Sequence, residues 1–293
     1  MIKKQKIYWW GFCSLLVLSF AFYYVGPEQI ANNFSDTDQL DVNVFDVGQG
    51  DAIFIETPDN FQILIDGGPD KSILGELGEV MGFWDRNINA VVLTHPHADH
   101  VGGLVEVLRR YKIEKIYMTG VVHTSSDYIE FLNTIKEKDI NIHIVDSAFD
   151  LELDNGIDLE FLYPLESYAG LKVDNLNNTS IVNRLVYNNS AVLFMGDLEA
   201  EGEEELILSE ADLAAEVLKA GHHGSATSSH LEFLEVVNPD VALISCGIDN
   251  TFHHPSMRTI NRMERLGIEI LRTDELGRVS LTSSGSGWEM FHE

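Results

Sequence analysis

The chain has 293 residues, 45% of them hydrophobic, which is enough for one large domain or two small ones with a substantial core. It carries 47 acidic and 19 basic side chains, a formal net charge of -28 at pH 7. This charge argues against non-specific attraction to nucleic acid or anionic lipid over most of the surface. Cys13 stands in an N-terminal apolar run and Cys246 at the end of a buried-looking strand, so no disulfide framework is expected.

The N-terminal segment has the pattern of a membrane anchor. Three lysines precede an apolar run over residues 7–25, which has aromatic residues near both ends. A helix of about 20 residues spans a bilayer, and the lysines favour a cytoplasmic N-terminus. We therefore expect an anchor or signal segment with one transmembrane helix at residues 1–26, a linker at 27–39 and a folded domain at 40–293. The expected location is the cell membrane, single-pass with the domain outside the cytoplasm, or secretion if the segment is cleaved.

Beyond residue 40, short apolar runs alternate with longer amphipathic ones, a pattern typical of a mixed α/β fold. Strands are predicted over residues 40–45, 52–56, 61–65, 90–93, 115–118, 142–145, 158–163, 181–187, 191–195, 214–219, 241–244, 268–271 and 279–282. Helices are predicted over residues 72–81, 101–111, 128–138, 199–208, 231–237 and 256–266. The acidic helix 199–208 is interpreted as a solvated face.

The stretch from His95 to His100 contains three imidazoles and one carboxylate, between an apolar strand and a helix start. Imidazole and carboxylate are ligands that zinc and similar divalent ions take. Pro96 keeps His95 in extended chain, so His97, two residues on, returns to the same side. Asp99 and His100 enter the helix and point elsewhere, so the spacing predicts two adjacent ions, one for each pair of ligands. A histidine-rich surface loop is the alternative, and it does not account for four potential ligands in this order.

Other short motifs accompany this stretch, and together they carry a resemblance. The pattern H-x-H-x-D-H followed by Gly-Gly resembles the signature of the metallo-β-lactamase superfamily. The remaining motifs resemble the hydrolase domain of ComEC, the DNA-uptake channel protein. They are Phe45 to Ala52 (FDVGQGDA), Asn177 to Ser180 (NNTS), Met195 to Asp197 (MGD), Leu218 to Ser225 (LKAGHHGS) and His254-Pro255.

The resemblance implies an α/β (α+β) fold, the αββα sandwich, with its site at one edge between the sheets. It implies two divalent metal ions, zinc or alternatively manganese, with Asp197 as the bridging carboxylate and Asp66 as a support for the metal loops. The choice between His222 and His223 as a ligand stays open, with His223 favoured. The implied metal ligands are His95, His97, Asp99, His100, Asp197 and His223.

The resemblance also suggests which residues contact substrate. Many relatives place a metal-binding histidine near Asn177, and this chain has none there. Asparagine and serine are weak zinc ligands, so water completes the first ion or these residues contact substrate. His222 and His254 are candidates for an acid or for an oxyanion-stabilising group. The catalytic candidates are Asp99, His222 and His254, and the substrate-binding candidates are Asn177, Ser180 and Ser225.

The expected function is metal-dependent hydrolysis of a phosphodiester by a metal-bridging hydroxide, with DNA as a candidate substrate. Two features argue against DNA uptake as such, because one apolar segment cannot form the ComEC channel and the surface is acidic. A second enzyme hypothesis is a cell-surface phosphodiesterase acting on choline- or teichoic-acid-type esters. A third hypothesis, from another class, is a non-catalytic metal-binding surface module. β-Lactam hydrolysis is not expected from these motifs.

Overall fold

The structure, a computed structural model, describes residues 39–292 apart from the side chain of Asp154. The predicted anchor at residues 1–26 lies outside the described residues, as does the linker up to residue 38. Across residues 39–292, no helix combines the length and apolar character needed to cross a membrane. The two longest have 13 residues each, whereas a bilayer needs about 20. The predicted single-pass location in the cell membrane is therefore wrong for the described structure.

Two sheets form the centre of the described chain. Their strands are β1 (Leu40–Val44), β2 (Ile53–Glu56), β3 (Gln62–Ile65), β4 (Asn87–Leu93), β5 (Lys112–Met118), β6 (Asn141–Ile144), β7 (Phe149–Glu152), β8 (Ile157–Tyr163), β9 (Val182–Tyr187), β10 (Ser190–Phe194), β11 (Val217–Lys219), β12 (Val241–Ile244), β13 (Glu269–Arg272), β14 (Val279–Ser283) and β15 (Glu289–His292). The first sheet has the order β15-β14-β1-β2-β3-β4-β5-β6, and the second has the order β13-β12-β11-β10-β9-β8-β7.

The helices are α1 (Ile73–Val80), α2 (Ala98–Arg110), α3 (Ser126–Lys138), α4 (Ala200–Leu208), α5 (Leu231–Val237), α6 (Met257–Leu266) and α7 (Thr273–Leu276). The start of α6 is fixed by Ser256, whose hydroxyl accepts the Arg258 N–H at 3.2 Å. It ends at Gly267, which takes the left-handed conformation (φ 75°) that glycine adopts without strain.

Apolar side chains form three buried layers. One lies between the sheets, and its members include Val42, Ile55, Phe161 and Val192. The second lies under α1, α2 and α3 on the outer face of the first sheet, and the third under α4, α5 and α6 on the outer face of the second. The predicted mixed α/β sandwich is therefore confirmed, with helices covering both outer faces.

The site is positioned by the parallel part of each sheet. Strands β3 to β6 are parallel, and so are β10 to β13. Since carboxyl ends of parallel strands meet at one edge, the turns after them meet there too. Asp66 follows β3, His95 follows β4, Asp197 follows β10 and His222 follows β11. Backbone hydrogen bonds join the turns, including His222 N–H to Gly196 O at 3.0 Å.

Three elements differ from the sequence prediction. β7 and β15 lie at sheet edges, and their side chains are partly exposed, so they lack the apolar run that marks a buried strand. α7 is a single turn directly after β13, in a segment for which the sequence predicts no helix or strand. None of the three carries a candidate site residue.

Candidate metal centre

The first group of ligand atoms comes from the turn after β4 and the turn after β10. His95 Nε2 lies 2.9 Å from His97 Nδ1 and 3.7 Å from Asp197 Oδ2. One ligand atom from each of these three residues lies within 4.8 Å of the others. The structure therefore brings His95 and His97 together, as their spacing predicts.

The second group is formed by Asp99, His100 and His223, which also lie within 4.8 Å of one another. His223 Nε2 is 3.3 Å from Asp99 Oδ2. Asp197 faces this group as well, because its Oδ1 lies 3.3 Å from His100 Nε2 and 3.6 Å from His223 Nε2. Asp99 and His100 thus join His223 in a second group, although the His100 ring also lies beside that of His95, with the ring centroids 4.2 Å apart.

Asp197 stands between the two groups with one oxygen facing each. Burial alone would raise the pKa of this carboxyl, but His223, His100 and His95 hold it well below its ordinary value. The carboxylate is therefore ionised at pH 7. One anion between two sets of donors is the geometry of a shared, bridging ligand.

Several donor atoms of the two groups face one another without making a hydrogen bond. His100 Nε2, His223 Nε2 and Asp197 Oδ1 are buried, and none of them makes a hydrogen bond. A buried polar atom without a partner costs roughly 1–3 kcal/mol, so such atoms are expected to serve a ligand. The separations of 2.9–3.7 Å between neighbouring donors are close to the roughly 3.4 Å between ligands of a tetrahedral zinc at about 2.1 Å. The residues fit divalent metal ions, and their role as ligands stays a prediction.

Asp66 supports the second group from behind. Its carboxylate accepts the Thr94 N–H at 2.8 Å and the Thr94 hydroxyl at 2.6 Å. It also lies 2.7 Å from His100 Nδ1, so it fixes that ring with Nε2 turned toward Asp197. Asp66 is fully buried and does not belong to either ligand group. This is the supporting position that the sequence resemblance implies.

A buried ion pair supports His223, and the sequence analysis did not single it out. His223 Nδ1 lies 3.1 Å from Ser245 O and 3.3 Å from Asp51 Oδ1. The other oxygen of Asp51 lies 2.7 Å from Lys219 Nζ. Lys219 is fully buried and Asp51 is 1% exposed. A lysine at the end of the apolar strand β11 was the available signal, since a buried charge needs a partner.

His222 faces the first group from the solvent side. Its Nε2 lies 3.8 Å from Asp197 Oδ2, and its Nδ1 lies 3.1 Å from Glu199 Oε1. The Asn177 amide nitrogen lies 3.3 Å from both Glu199 Oε1 and His222 Nδ1. The interpretation of residues 199–208 as a solvated face therefore fails for Glu199, and it fails for Glu203, which is 1% exposed.

The predicted substrate-binding residues lie deeper than expected. Ser180 is fully buried, and its hydroxyl accepts the Asp197 N–H at 3.1 Å and lies 3.3 Å from His95 Nδ1. Ser225 is 6% exposed, and its hydroxyl lies 2.9 Å from that of Thr227. Asn177 is 8% exposed. These positions favour support of the ligand loops, and contact with substrate stays a prediction.

His254 lies beside His222 and His223, with its ring centroid 5.3 Å from that of His222 and 6.4 Å from that of His223. Burial lowers the pKa of His254 to about 4, and the neighbouring imidazoles His222 and His223 add to the effect. The ring is therefore neutral at pH 7. Its Nδ1 has no protein partner.

The sequence model of the metallo-beta-lactamase superfamily matches residues 45–248, which include every ligand candidate. The chain belongs to the metallo-beta-lactamase superfamily. Within this superfamily it is similar to ComEC-like proteins. It is 31% identical over 259 residues to ComE operon protein 3 of Bacillus subtilis, and 31% identical over 264 residues to Competence protein ComA of Neisseria gonorrhoeae.

These alignments cover 82% and 90% of this chain but only 32% and 34% of the two relatives. The chain thus spans about a third of their length. Among solved structures, a metallo hydrolase called Igni18 from Ignicoccus hospitalis aligns over 83% of this chain and 98% of its own, with a TM-score of 0.53 and 17% identity. That likeness is one of fold alone.

Proposed function

We propose that the chain is a metal-dependent phosphodiesterase. The observation that carries this proposal is the position of Asp197, whose two oxygens face two separate groups of ligands. Two ions sharing a carboxylate form a clamp for the attacking and leaving oxygens of a displaced ester. The same arrangement serves phosphate esters widely, so a phosphodiester is the first substrate class to test.

The donor set favours zinc, with manganese as the alternative, because imidazole suits zinc and carboxylate suits manganese. When bound, such ions lower the pKa of water and act as Lewis acids on a phosphoryl oxygen. The proposed ligands are His95, His97 and Asp197 for one ion, and Asp99, His100, His223 and Asp197 for the other.

The solvent side of the site presents groups that can contact a substrate. His254 would donate its free ring N–H to a substrate oxygen, since it is neutral at pH 7 and its Nδ1 has no protein partner. Phe252, which is 63% exposed, lies nearly parallel to the His254 ring at 6.0 Å. An exposed aromatic face of this kind is a surface on which a nucleobase stacks.

A basic helix face supports a polyanionic substrate such as DNA. Arg258, Arg262 and Arg265 lie on α6, which begins three residues after His254, and they line one surface pocket. Among residues 39–292, none of these arginines pairs with a carboxylate, and Arg262 instead donates to the carbonyls of Ser228 and Ser229. In a chain with 47 acidic residues, such a face is suited to a phosphate backbone.

The test compares substrates with the full chain reconstituted with zinc or manganese. Hydrolysis of bis(p-nitrophenyl) phosphate is measured beside cleavage of single-stranded DNA and of glycerophosphocholine. The Asp99→Ala/His100→Ala double variant serves as the inactive control. We expect turnover of the small diester and of DNA, both lost in the double variant.

Each other outcome changes the account in a defined way. Turnover of glycerophosphocholine without DNA cleavage would transfer the proposal to choline-type esters. Bound metal without turnover of any ester would contradict the phosphodiesterase proposal and favour a non-catalytic metal-binding module.

A further inference from the structure

The two ligand groups are unequal in the number of donors that they offer. The second group has four, because Asp99, His100 and His223 are joined by one oxygen of Asp197. The first group has three, which are His95, His97 and the other oxygen of Asp197. A tetrahedral zinc takes four ligands, so this group lacks one strong donor, and the amide of Asn177 is a weak zinc ligand.

His222 lies just outside the first group. Its Nε2 lies 3.8 Å from Asp197 Oδ2, the oxygen that His95 Nε2 approaches at 3.7 Å. His222 therefore approaches the same oxygen as the first group, from just outside its tightest part. Its side chain is 23% exposed, so a small rotation of the ring is not blocked by burial.

Glu199 favours the tautomer of the His222 ring that a metal ligand needs. Its Oε1 lies 3.1 Å from His222 Nδ1. An imidazole that donates Nδ1–H to a carboxylate presents its lone pair at Nε2, which is the nitrogen facing Asp197. The same relation joins Asp66 to His100 in the second group.

Glu199 is itself held from several directions. It accepts hydrogen bonds from the Asn175 amide at 2.7 Å, the Asn177 amide at 3.3 Å and the Thr227 hydroxyl at 2.8 Å. Its own N–H donates to Asn178 Oδ1 at 3.1 Å. Three of these bonds fix the carboxylate that faces His222, and the fourth fixes the backbone of Glu199. They give Asn177 a role that does not involve a metal.

The backbone explains how adjacent histidines serve different groups. His222 (φ 49°) and His223 (φ 53°) are both left-handed, a conformation that is rare for residues other than glycine. In consecutive residues it turns the two side chains apart, His222 toward Asp197 Oδ2 and His223 toward Asp197 Oδ1. Strain of this kind is typical of functional sites.

We infer that His222 is the third imidazole ligand of the first ion and that Glu199 is its positioning residue. This inference rests on the proposed metal site and specifies one of its ligands. Asn177 supports Glu199 and does not bind the metal.

The test measures metal content and affinity in the full chain, stripped of metal and titrated with zinc or cobalt. We expect two ions per wild-type chain and about one tightly bound ion in His222→Ala. The Glu199→Gln variant should retain both ions, but the dissociation constant of the weaker ion should rise 10–100-fold. The matched control is His230→Ala, because His230 Nδ1 also lies 3.2 Å from a carboxylate, that of Glu203, outside the site. It should bind two ions as the wild type does.

A second variant tests ligation directly and does not depend on loss of metal. Cobalt bound to His222→Cys should show a sulfur-to-cobalt charge-transfer band that the wild type lacks, because thiolate is a strong ligand for such ions.

Different failures have different meanings. If His222→Ala binds two ions with wild-type affinity, the inference is overturned, even if turnover is lost, because His222 would then act as an acid. Loss of the ion in Asn177→Ala, with His222→Ala unaffected, would also overturn it. A wild-type chain that binds metal without hydrolysing any ester contradicts only the proposed reaction. A wild-type chain that binds no metal contradicts the proposed function and the inference together.

Discussion

Lys219 Nζ and Asp51 Oδ2 lie 2.7 Å apart in the interior of the fold, although 168 residues separate them in sequence. Burial alone would raise the pKa of Asp51, but Lys219 and His223 hold it well below its ordinary value. The other oxygen of Asp51, Oδ1, lies 3.3 Å from His223 Nδ1, so the charged pair contacts this histidine. It connects the interior of the sandwich to the second ligand group.

Replacing Lys219 by methionine should destabilise the chain by about 3–5 kcal/mol, because it leaves the Asp51 carboxylate buried without its partner. The free energy of unfolding by denaturant measures this. The double variant Asp51→Asn/Lys219→Met should lose less free energy of unfolding than the single variant Lys219→Met. If it loses as much or more, the two charges do not stabilise each other.

Replacing Asp66 by asparagine should weaken metal binding by the second group 10–100-fold, because His100 Nδ1 loses its carboxylate partner. Asparagine tolerates the left-handed backbone of this position (φ 57°), so the fold should be retained. Metal titration measures the affinity, and circular dichroism serves as the control for folding. Unchanged affinity in a folded Asp66→Asn protein would remove the supporting role.

The thiol of Cys246 should react slowly in the folded chain. Burial raises its pKa to about 12, and Asp274 adds to the effect. An unperturbed thiol has a pKa near 9, so the folded chain should contain about 1000-fold less thiolate at pH 8. In a Cys13→Ser background, labelling should rise about tenfold per pH unit between pH 8 and 10. A plateau near pH 9 would contradict this pKa.

Reversing two charges on α6 should weaken the binding of DNA without changing the hydrolysis of small esters. Arg258→Glu/Arg265→Glu should weaken DNA binding and reduce the slope of log K against log salt by about 1.4, the loss of two single-strand phosphate contacts. Hydrolysis of bis(p-nitrophenyl) phosphate should be unchanged. Lys136→Glu/Lys138→Glu on α3 makes the same change in net charge and should have little effect. Equal losses in the two double variants would mean that only net charge matters.

The sequence predicts local features of the site well. His95 and His97 lie in the turn after β4, and Asp99 and His100 lie in the first turn of α2, so their assignment to two groups follows from local backbone geometry. Asp51, Lys219 and Glu199 were missed because their roles depend on contacts between distant segments. A helix-start glutamate such as Glu199 is usually solvated, and only the fold places it against His222. The edge strands β7 and β15 were missed for a related reason, since their pairing partners define them more than their own residues do.

The central claim is that Asp197 joins two ions in a site that hydrolyses phosphodiesters. It is tested most directly by measuring bis(p-nitrophenyl) phosphate hydrolysis and bound metal together, as zinc is added to the metal-free chain. The account predicts no turnover without metal and turnover that appears as the second ion binds. In Asp197→Asn it predicts loss of both the turnover and the binding of the second ion. Turnover by the metal-free chain, or wild-type turnover by Asp197→Asn, would contradict it.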